Sequence, residues 1–313
     1  MWTGLISHPD CLGHLPPPGH PESADRLRAV LRGLEKGRFQ DLVRLDAPFV
    51  DDADLLRAHT PENVAAIRGR LAVEAAEDVY VHIDADTVMS AGSVEAALRA
   101  AGAVVAGVDE VQAGRLRNAF CAVRPPGHHA ERARAMGFCL FNNVAIGALH
   151  ARVSHGHRRI AVVDFDVHHG NGTQDIFCAD KDAFYASSHQ WPFYPGTGSA
   201  SECGIADNVL NVPLRAGSGS REFRSAYESL ILPALQNFAP DFVFISAGFD
   251  AHRLDPLAEL DLVEDDFSWV TSAICDVARA CCGGRVVSVL EGGYDLEALA
   301  RSAAAHVRAL MEA

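Results

Sequence analysis

Six runs of four to six mainly apolar residues, at 119–123, 160–163, 183–187, 209–214, 242–247 and 286–290, punctuate the chain. Runs this short and this continuously apolar read as buried parallel strands. Between them apolar positions recur at helical spacing. Leu27, Val30, Leu31 and Leu34 form a stripe in a helix expected from Glu22 to a stop at Gly37. Thr60 before Pro61 predicts a helix start, with the helix running to about Ala76. Further helices are expected over 91–111, after Asn142-Asn143 to near His150, over 174–178, 222–238 and 265–282, and at the end of the chain. The proline-dense stretch 11–21 and the segment Glu77–Thr87, with Asp84 and Asp86, read as loops. Strands alternating with helices predict a single α/β domain over 1–313, a mainly parallel sheet with helices on both faces.

Four of the predicted strands end in chemistry. Residues 119–123 empty into Arg124-Pro125-Pro126-Gly127-His128-His129, and 160–163 into Asp164-Phe165-Asp166-Val167-His168-His169-Gly170-Asn171-Gly172-Thr173. Residues 242–247 lead to Gly248-Phe249-Asp250, and 286–290 to Glu291-Gly292-Gly293-Tyr294. In an extended segment Asp164, Asp166 and His168 share one face and Phe165, Val167 and His169 the other. Buried carboxylates need a partner or a metal, and oxygen with imidazole nitrogen donors suits a zinc-like ion. Taken alone, this run also fits a polar turn that caps neighbouring backbone, and the histidine pair fits a satisfied turn as well as a general acid/base pair.

Ligands bind outside the carboxyl ends of strands in open parallel sheets, so these four ends can converge. Asp166, His168 and Asp250 then supply three ligands and leave a position open, as catalytic metals require. An ion there would acidify water and polarise a carbonyl, a histidine would take the proton, and Tyr294 would hydrogen-bond an oxyanion. Hydrolysis of an amide or ester is the implied reaction.

Composition narrows the classes. A chain of 313 residues that is 49% hydrophobic can bury a full core. A net charge of -14 argues against a nucleic-acid surface; it would favour cationic ligands, although ordinary solubility explains it as well. Eight cysteines without a CxxC spacing read as reduced core thiols. The first ten residues lack a basic and an apolar region, and the alanine-rich stretch 96–108 contains Arg99, so the expectation is a cytoplasmic protein with no membrane partner. His155 and His157 are expected to be solvated. Arg26 opposes a helix dipole, which asks for a solvated position or a specific partner. The loop Trp191–Gly198 reads as a turn packed on itself or a pocket wall.

The segments RPPGHHA, DFDVHHGNGT, AGFDAH and EGGY, in this order over nearly the whole chain, resemble the histone deacetylase family and its arginase-deacetylase fold. The resemblance implies that Asp166, His168 and Asp250 bind one zinc ion per chain, with ferrous iron also acceptable to such donors. It makes His129 the general base, His128 its electrostatic partner, Tyr294 the transition-state tyrosine, Asp164 the group that orients His128 and Asn171 the group facing His129. Class I members carry aspartate at the last position, so asparagine resembles the class II and bacterial branches. Phe138 and Phe193, with Gly137 backbone, would line an acyl-lysine tunnel, and Asp86 would lie at its rim. Arg26 would belong to an acetate-exit channel. Main-chain oxygens of Asp164, Asp166 and His168, with Ser187 and Ser188, would hold a structural potassium ion.

The function so implied is deacetylation of an acetyl-lysine or acetylated amine. Acetylpolyamine or other small-molecule deacylation is the alternative. Leu257 stands where the polyamine-preferring eukaryotic branch has glutamate, yet bacterial acetylpolyamine amidohydrolases use a dimer-borne loop, so a homo-oligomer stays open. An arginase-like binuclear hydrolase would need more aspartates than one DxDxH and Asp250 provide. Tyr294 and the histidine pair speak against a non-catalytic acetyl-lysine binding module.

Overall fold

In the computed structural model, which describes residues 2–69 and 80–313, the apolar runs lie side by side in one eight-stranded sheet. Its strands are β1 (Trp2–Ser7), β2 (Val43–Asp46), β5 (Leu116–Cys121), β6 (Ile160–Asp164), β7 (Ala183–Gln190), β8 (Val209–Leu214), β9 (Phe242–Ala247) and β10 (Val286–Leu290). Their order is β2-β1-β5-β10-β9-β6-β7-β8 and every pairing is parallel. All residues of β6, β9 and β10 are buried, so both faces of the sheet are covered and neither face of these strands tolerates a polar stripe. A separate ribbon pairs β3 (Val81–His82) with β4 (Val88–Met89), antiparallel.

The helices are α1 (Ala24–Gly33), α2 (Asp52–Ala58), α3 (Pro61–Gly69), α4 (Ser93–Gln112), α5 (Asn143–His155), α6 (Asn171–Phe177), α7 (Ser220–Ala226), α8 (Leu232–Phe238), α9 (Glu264–Cys282) and α10 (Leu296–Glu312). Helices α4 and α5 pack on one another, as do α10 with α1 and α9. No described helix is long and apolar enough to cross a membrane.

Several expectations are corrected. The segment 81–89 is a two-stranded ribbon rather than plain loop; 77–79 lie outside the described residues, as does the end of the helix expected to reach Ala76. The helix expected over 222–238 is split by one π turn, Tyr227–Ile231, just before α8. Pro233 explains it, because proline offers no N–H to the preceding turn. His155, expected to be solvated, is the last residue of α5 and lies half-buried against Asp109 at 2.6 Å. Five cysteines are buried as core thiols, but Cys203 is exposed.

Topology places the site. The chain runs from β5 to β6 without pairing them, and β10 and β9 later fill the gap. The four strands with reactive ends are therefore consecutive neighbours.

Candidate active site

Strand β6 stops at Asp164 and the chain bends, so the three residues Asp164, Asp166 and His168 are gathered by a turn rather than by strand alternation. The turn is built from its own carboxylates. Asp164 Oδ1 accepts the Asp166 N–H at 3.1 Å, and Asp166 Oδ1 accepts that of His168 at 2.8 Å. Asp250, after β9, accepts the Val167 N–H at 2.9 Å, and Gly292, after β10, donates to Asp166 at 2.8 Å. His168 Nδ1 consequently lies 3.1 Å from both Asp166 Oδ1 and Asp250 Oδ2.

The donor atoms of Asp166, His168 and Asp250 all fall within 4.8 Å of one another, and all three residues are buried. Burial opposes charge on His168, yet its hydrogen bonds to the two carboxylates push its pKa up to about 10. Two buried carboxylates therefore draw in positive charge. A divalent cation of the zinc class fits that donor set, with room for a non-protein ligand.

The histidine pair follows β5. Glu291, after β10, accepts the N–H groups of Gly127 (2.7 Å) and His128 (3.1 Å), which fixes the loop. His128 Nδ1 donates to Asp164 Oδ2 at 3.0 Å. His129 Nδ1 donates to Asn171 Oδ1 at 2.8 Å. The rings lie 4.0 Å apart but titrate in opposite directions. Burial disfavours charge on His128, but the carboxylates of Asp166 and Asp164 hold its pKa well above the ordinary value. Burial, with His128 and His168 beside it, keeps that of His129 well below. One imidazole is charged and its neighbour neutral, the division of labour an acid/base site needs.

A narrow cavity of about 80 Å³ opens above these groups, lined by Asp86, His129, Gly137, Phe138, His168, Tyr194, Leu257 and Tyr294. Phe138 adopts φ 67°, and Gly137 before it φ 58°, a left-handed pair that turns the phenyl ring toward Tyr294, 6.0 Å away. The Phe138 N–H is met by Thr87 Oγ1 at 3.1 Å. At Gly137 a side chain would run into the His129 ring, which reserves this position for glycine. Asp86 lies in the cavity lining. Phe193 stacks flat on His168 at 5.4 Å, and the partly exposed Tyr194 stands edge-on to His129 at 5.2 Å, so both aromatics meet residues of the cavity wall.

Arg26 is fully buried, so the solvated reading of it is wrong. It pairs with Glu22 at 3.1 Å, donates to the carbonyls of Glu291 and Gly293, and covers the Tyr294 ring at 4.9 Å. Burial and the nearby Arg26 charge act oppositely on the Tyr294 phenol, whose pKa is held well above its ordinary value.

Sequence reasoning missed the groups behind these. Glu22 joins Arg26 to Arg124, whose Nη2 is 2.6 Å from Glu22 Oε2, and Asp255 accepts the Tyr294 N–H at 2.6 Å. Each is a single polar residue without a local pattern; only Glu291, one more carboxylate at a strand end, carried a signal. Of the five residues assigned to potassium, Asp164 and Ser187 are register partners of β6 and β7. The serine hydroxyls meet His189 Nδ1 (Ser187, 2.9 Å) and Tyr227 (Ser188, 3.2 Å).

A profile described as the histone deacetylase domain matches residues 20–310. The chain belongs to the histone deacetylase family. It is a hydrolase of the deacetylase and amidohydrolase class. It is 40% identical over 310 residues to "Histone deacetylase 14, chloroplastic" of Arabidopsis thaliana, an alignment covering 93% of this chain and 73% of the relative. It is 38% identical over 295 residues to the "Histone deacetylase-like amidohydrolase" of Pseudomonas aeruginosa, covering 93% and 75%. The crystal structure of the HDA15 HD domain superposes with a TM-score of 0.93 at 37% identity, covering 99% of this chain and 88% of that one. The mainly parallel sheet read from the sequence is thus that of a solved histone deacetylase domain.

Proposed function

We propose that residues 1–313 form one catalytic domain, a zinc-dependent hydrolase that removes the acetyl group from an acetyl-lysine side chain or a related acetylated amine. The observation that carries this reading is the convergence of the His128–Asp164 and His129–Asn171 pairs with the donors of Asp166, His168 and Asp250 at the floor of a narrow cavity. A bound zinc or ferrous ion supplies Lewis acidity toward water and the acyl oxygen.

The remaining work falls to side chains. Because Nδ1 of His129 donates to Asn171, its Nε2 lone pair is free to take a proton from water and return it to the leaving amine. His128, held by Asp164, keeps positive charge next to the reacting centre. Tyr294, kept protonated, donates to the developing oxyanion. Phe138, Tyr194 and Leu257 enclose a methylene stem and exclude water.

A structural potassium ion fits where β6 ends beside Ser187 of β7. Burial holds His189 neutral, its pKa pushed down to about 4, and its Nε2 donates to the Gly198 carbonyl at 2.8 Å. Nδ1 must then accept from Ser187, which leaves the Ser187 oxygen lone pairs for a cation.

A free acetylated polyamine is the second reading, favoured by the Asp86 carboxylate in the cavity lining and the net charge of -14, both attractive to a cationic amine. Purified protein assayed on an acetyl-lysine peptide and on N-acetylputrescine, with Tyr294→Phe alongside, separates the two. Peptide turnover that collapses in the variant supports the lysine reading, turnover of the polyamine alone supports the second, and silence on both removes deacetylation of either.

A further inference from the structure

Away from the active site, the last turn of α5 faces the last turns of α4 across a group of three potential ligands. Asp109 Oδ1 lies 2.9 Å from His150 Nε2 and 2.6 Å from His155 Nε2. Behind His150, Nδ1 is 2.9 Å from Asp54 Oδ1, and Asp54 is itself paired with Arg57 of the same helix, α2. We propose that Asp109, His150 and His155 form a second divalent-metal site, of the zinc, nickel and copper class, separate from the catalytic centre.

Hydrogen-bond bookkeeping leads there. His150 is nearly buried, and its Nδ1 meets the Asp54 carboxylate, which only accepts, at 2.9 Å, closer than the Arg57 guanidinium at 3.3 Å, which itself pairs with Asp54. Nδ1 therefore carries the proton, and in a neutral ring Nε2 turns a lone pair toward Asp109. A carboxylate oxygen faced by lone pairs needs positive charge between them. Protons on both rings satisfy it, and so does one divalent ion. An imidazole whose far nitrogen is held by a carboxylate is the usual arrangement of a metal-binding histidine, because the partner fixes the tautomer and raises basicity.

The catalytic donors offer an internal yardstick. There the histidine nitrogen sits 3.1 Å from each carboxylate oxygen; here the two distances are 2.9 and 2.6 Å, and in both groups all ligand atoms lie within 4.8 Å of one another. Among the described residues these are the two groups that meet this criterion. They differ in access. Asp109 exposes 45% of its side chain and His155 24%, so an ion can enter from solvent and water can complete its shell. Two imidazoles and one carboxylate select zinc, nickel or copper over magnesium or calcium. Bound there, the ion ties the end of α5 to the end of α4.

The test is a metal count on the whole protein equilibrated with buffered zinc and dialysed. Two ions per chain are expected, falling to one in His155→Asn and in Asp109→Asn while deacetylase activity is unchanged. Asp250→Ala should lose the other ion. Zinc should also raise the melting temperature of the Asp250→Ala protein, by roughly 2–4 °C, and not that of the double variant that adds His155→Asn. One ion in the wild type that His155→Asn leaves in place overturns the site, as do two ions that persist in both α4 and α5 variants, which would put the second ion in a binuclear centre. A failure of the catalytic-metal reading looks different: one ion, lost in His155→Asn and kept in Asp250→Ala.

Discussion

Asn171 is read from both ends: its side-chain oxygen accepts from His129 Nδ1 at 2.8 Å, and its side-chain nitrogen donates to Glu131 Oε1 at 2.7 Å. The amide therefore positions His129 without adding charge. Asn171→Asp would place a carboxylate on that imidazole and raise its pKa, so a higher pH would be needed to free the base. The acid limb of kcat/KM against pH is expected to move up by about one unit. The new carboxylate also faces Glu131, so some stability should be lost. An acid limb that stays in place would remove His129 as the titrating base.

Asp255 anchors the tyrosine loop through the Tyr294 N–H at 2.6 Å and the Asp295 N–H at 3.4 Å. Burial and the nearby Asp250 charge push its pKa up to about 7, so a neutral acceptor can serve in its place. Asp255 Oδ1 also accepts the Leu257 N–H at 3.0 Å, so Asp255→Asn, with one acceptor in place of two, should lose less than Asp255→Ala, which should lower kcat by roughly 10-fold to 100-fold with little change in KM, because Tyr294 is misplaced only where charge develops. An equal loss in both variants would show that the charge, not the anchor, matters.

Gly292 leaves no space for a side chain: a Cβ there would press on the carboxylates of Asp250 and Asp166. Gly292→Ala is expected to fold, with the far-ultraviolet spectrum of the parent, yet to lose most of the metal competing for Asp166, His168 and Asp250. Atomic emission on dialysed protein measures this directly, and full occupancy in the variant would contradict the ligand assignment.

His306 is buried between Thr271 (2.6 Å) and Ser288 (2.8 Å), and burial pushes its pKa down to about 3. In the unfolded chain it titrates near its ordinary value, so the unfolded state binds the extra proton. Stability from this group is full above about pH 7 and falls with acid until the folded pKa is reached. The loss amounts to about 2 kcal/mol between pH 7 and pH 5. His306→Asn should therefore be less stable at pH 7 but lose about 2 kcal/mol less on acidification, read from urea midpoints at the two pH values.

What could be read from sequence depended on whether the cause was local. Strands β8, β9 and β10 match the expected bounds: β9 and β10 are buried throughout and interrupted only by Ser246 and Ser288, and β8, at the sheet edge, keeps Val209, Val212 and Leu214 in the core. Strands β1 and β2 escaped: Thr3 and Gly4 interrupt one, and the other is a four-residue edge in which Arg44 and Asp46 alternate with apolar residues. The same division runs through the site. His128, His129, Asp164, Asp166, His168, Asp250 and Tyr294 were legible because each follows a recognisable strand. Glu22 and Asp255 act on partners 102 and 39 residues away, and nothing in their own neighbourhood announces it. Tyr194 shows the limit of pattern, since nothing in its neighbourhood announces that its ring stands edge-on to His129.

The insertion of β10 and β9 between β5 and β6 also sets a schedule for synthesis. When β5 and β6 leave the ribosome, the two strands that will separate them are still unmade, so the central sheet cannot close until the last third of the chain is available. Such long-range parallel pairing is slow. Asp250 and Tyr294 arrive with those late strands, whereas the histidine pair and Asp166 are already in place. A nascent or truncated chain thus holds half of its reactive groups without being able to use them, and hydrolytic competence marks the end of folding.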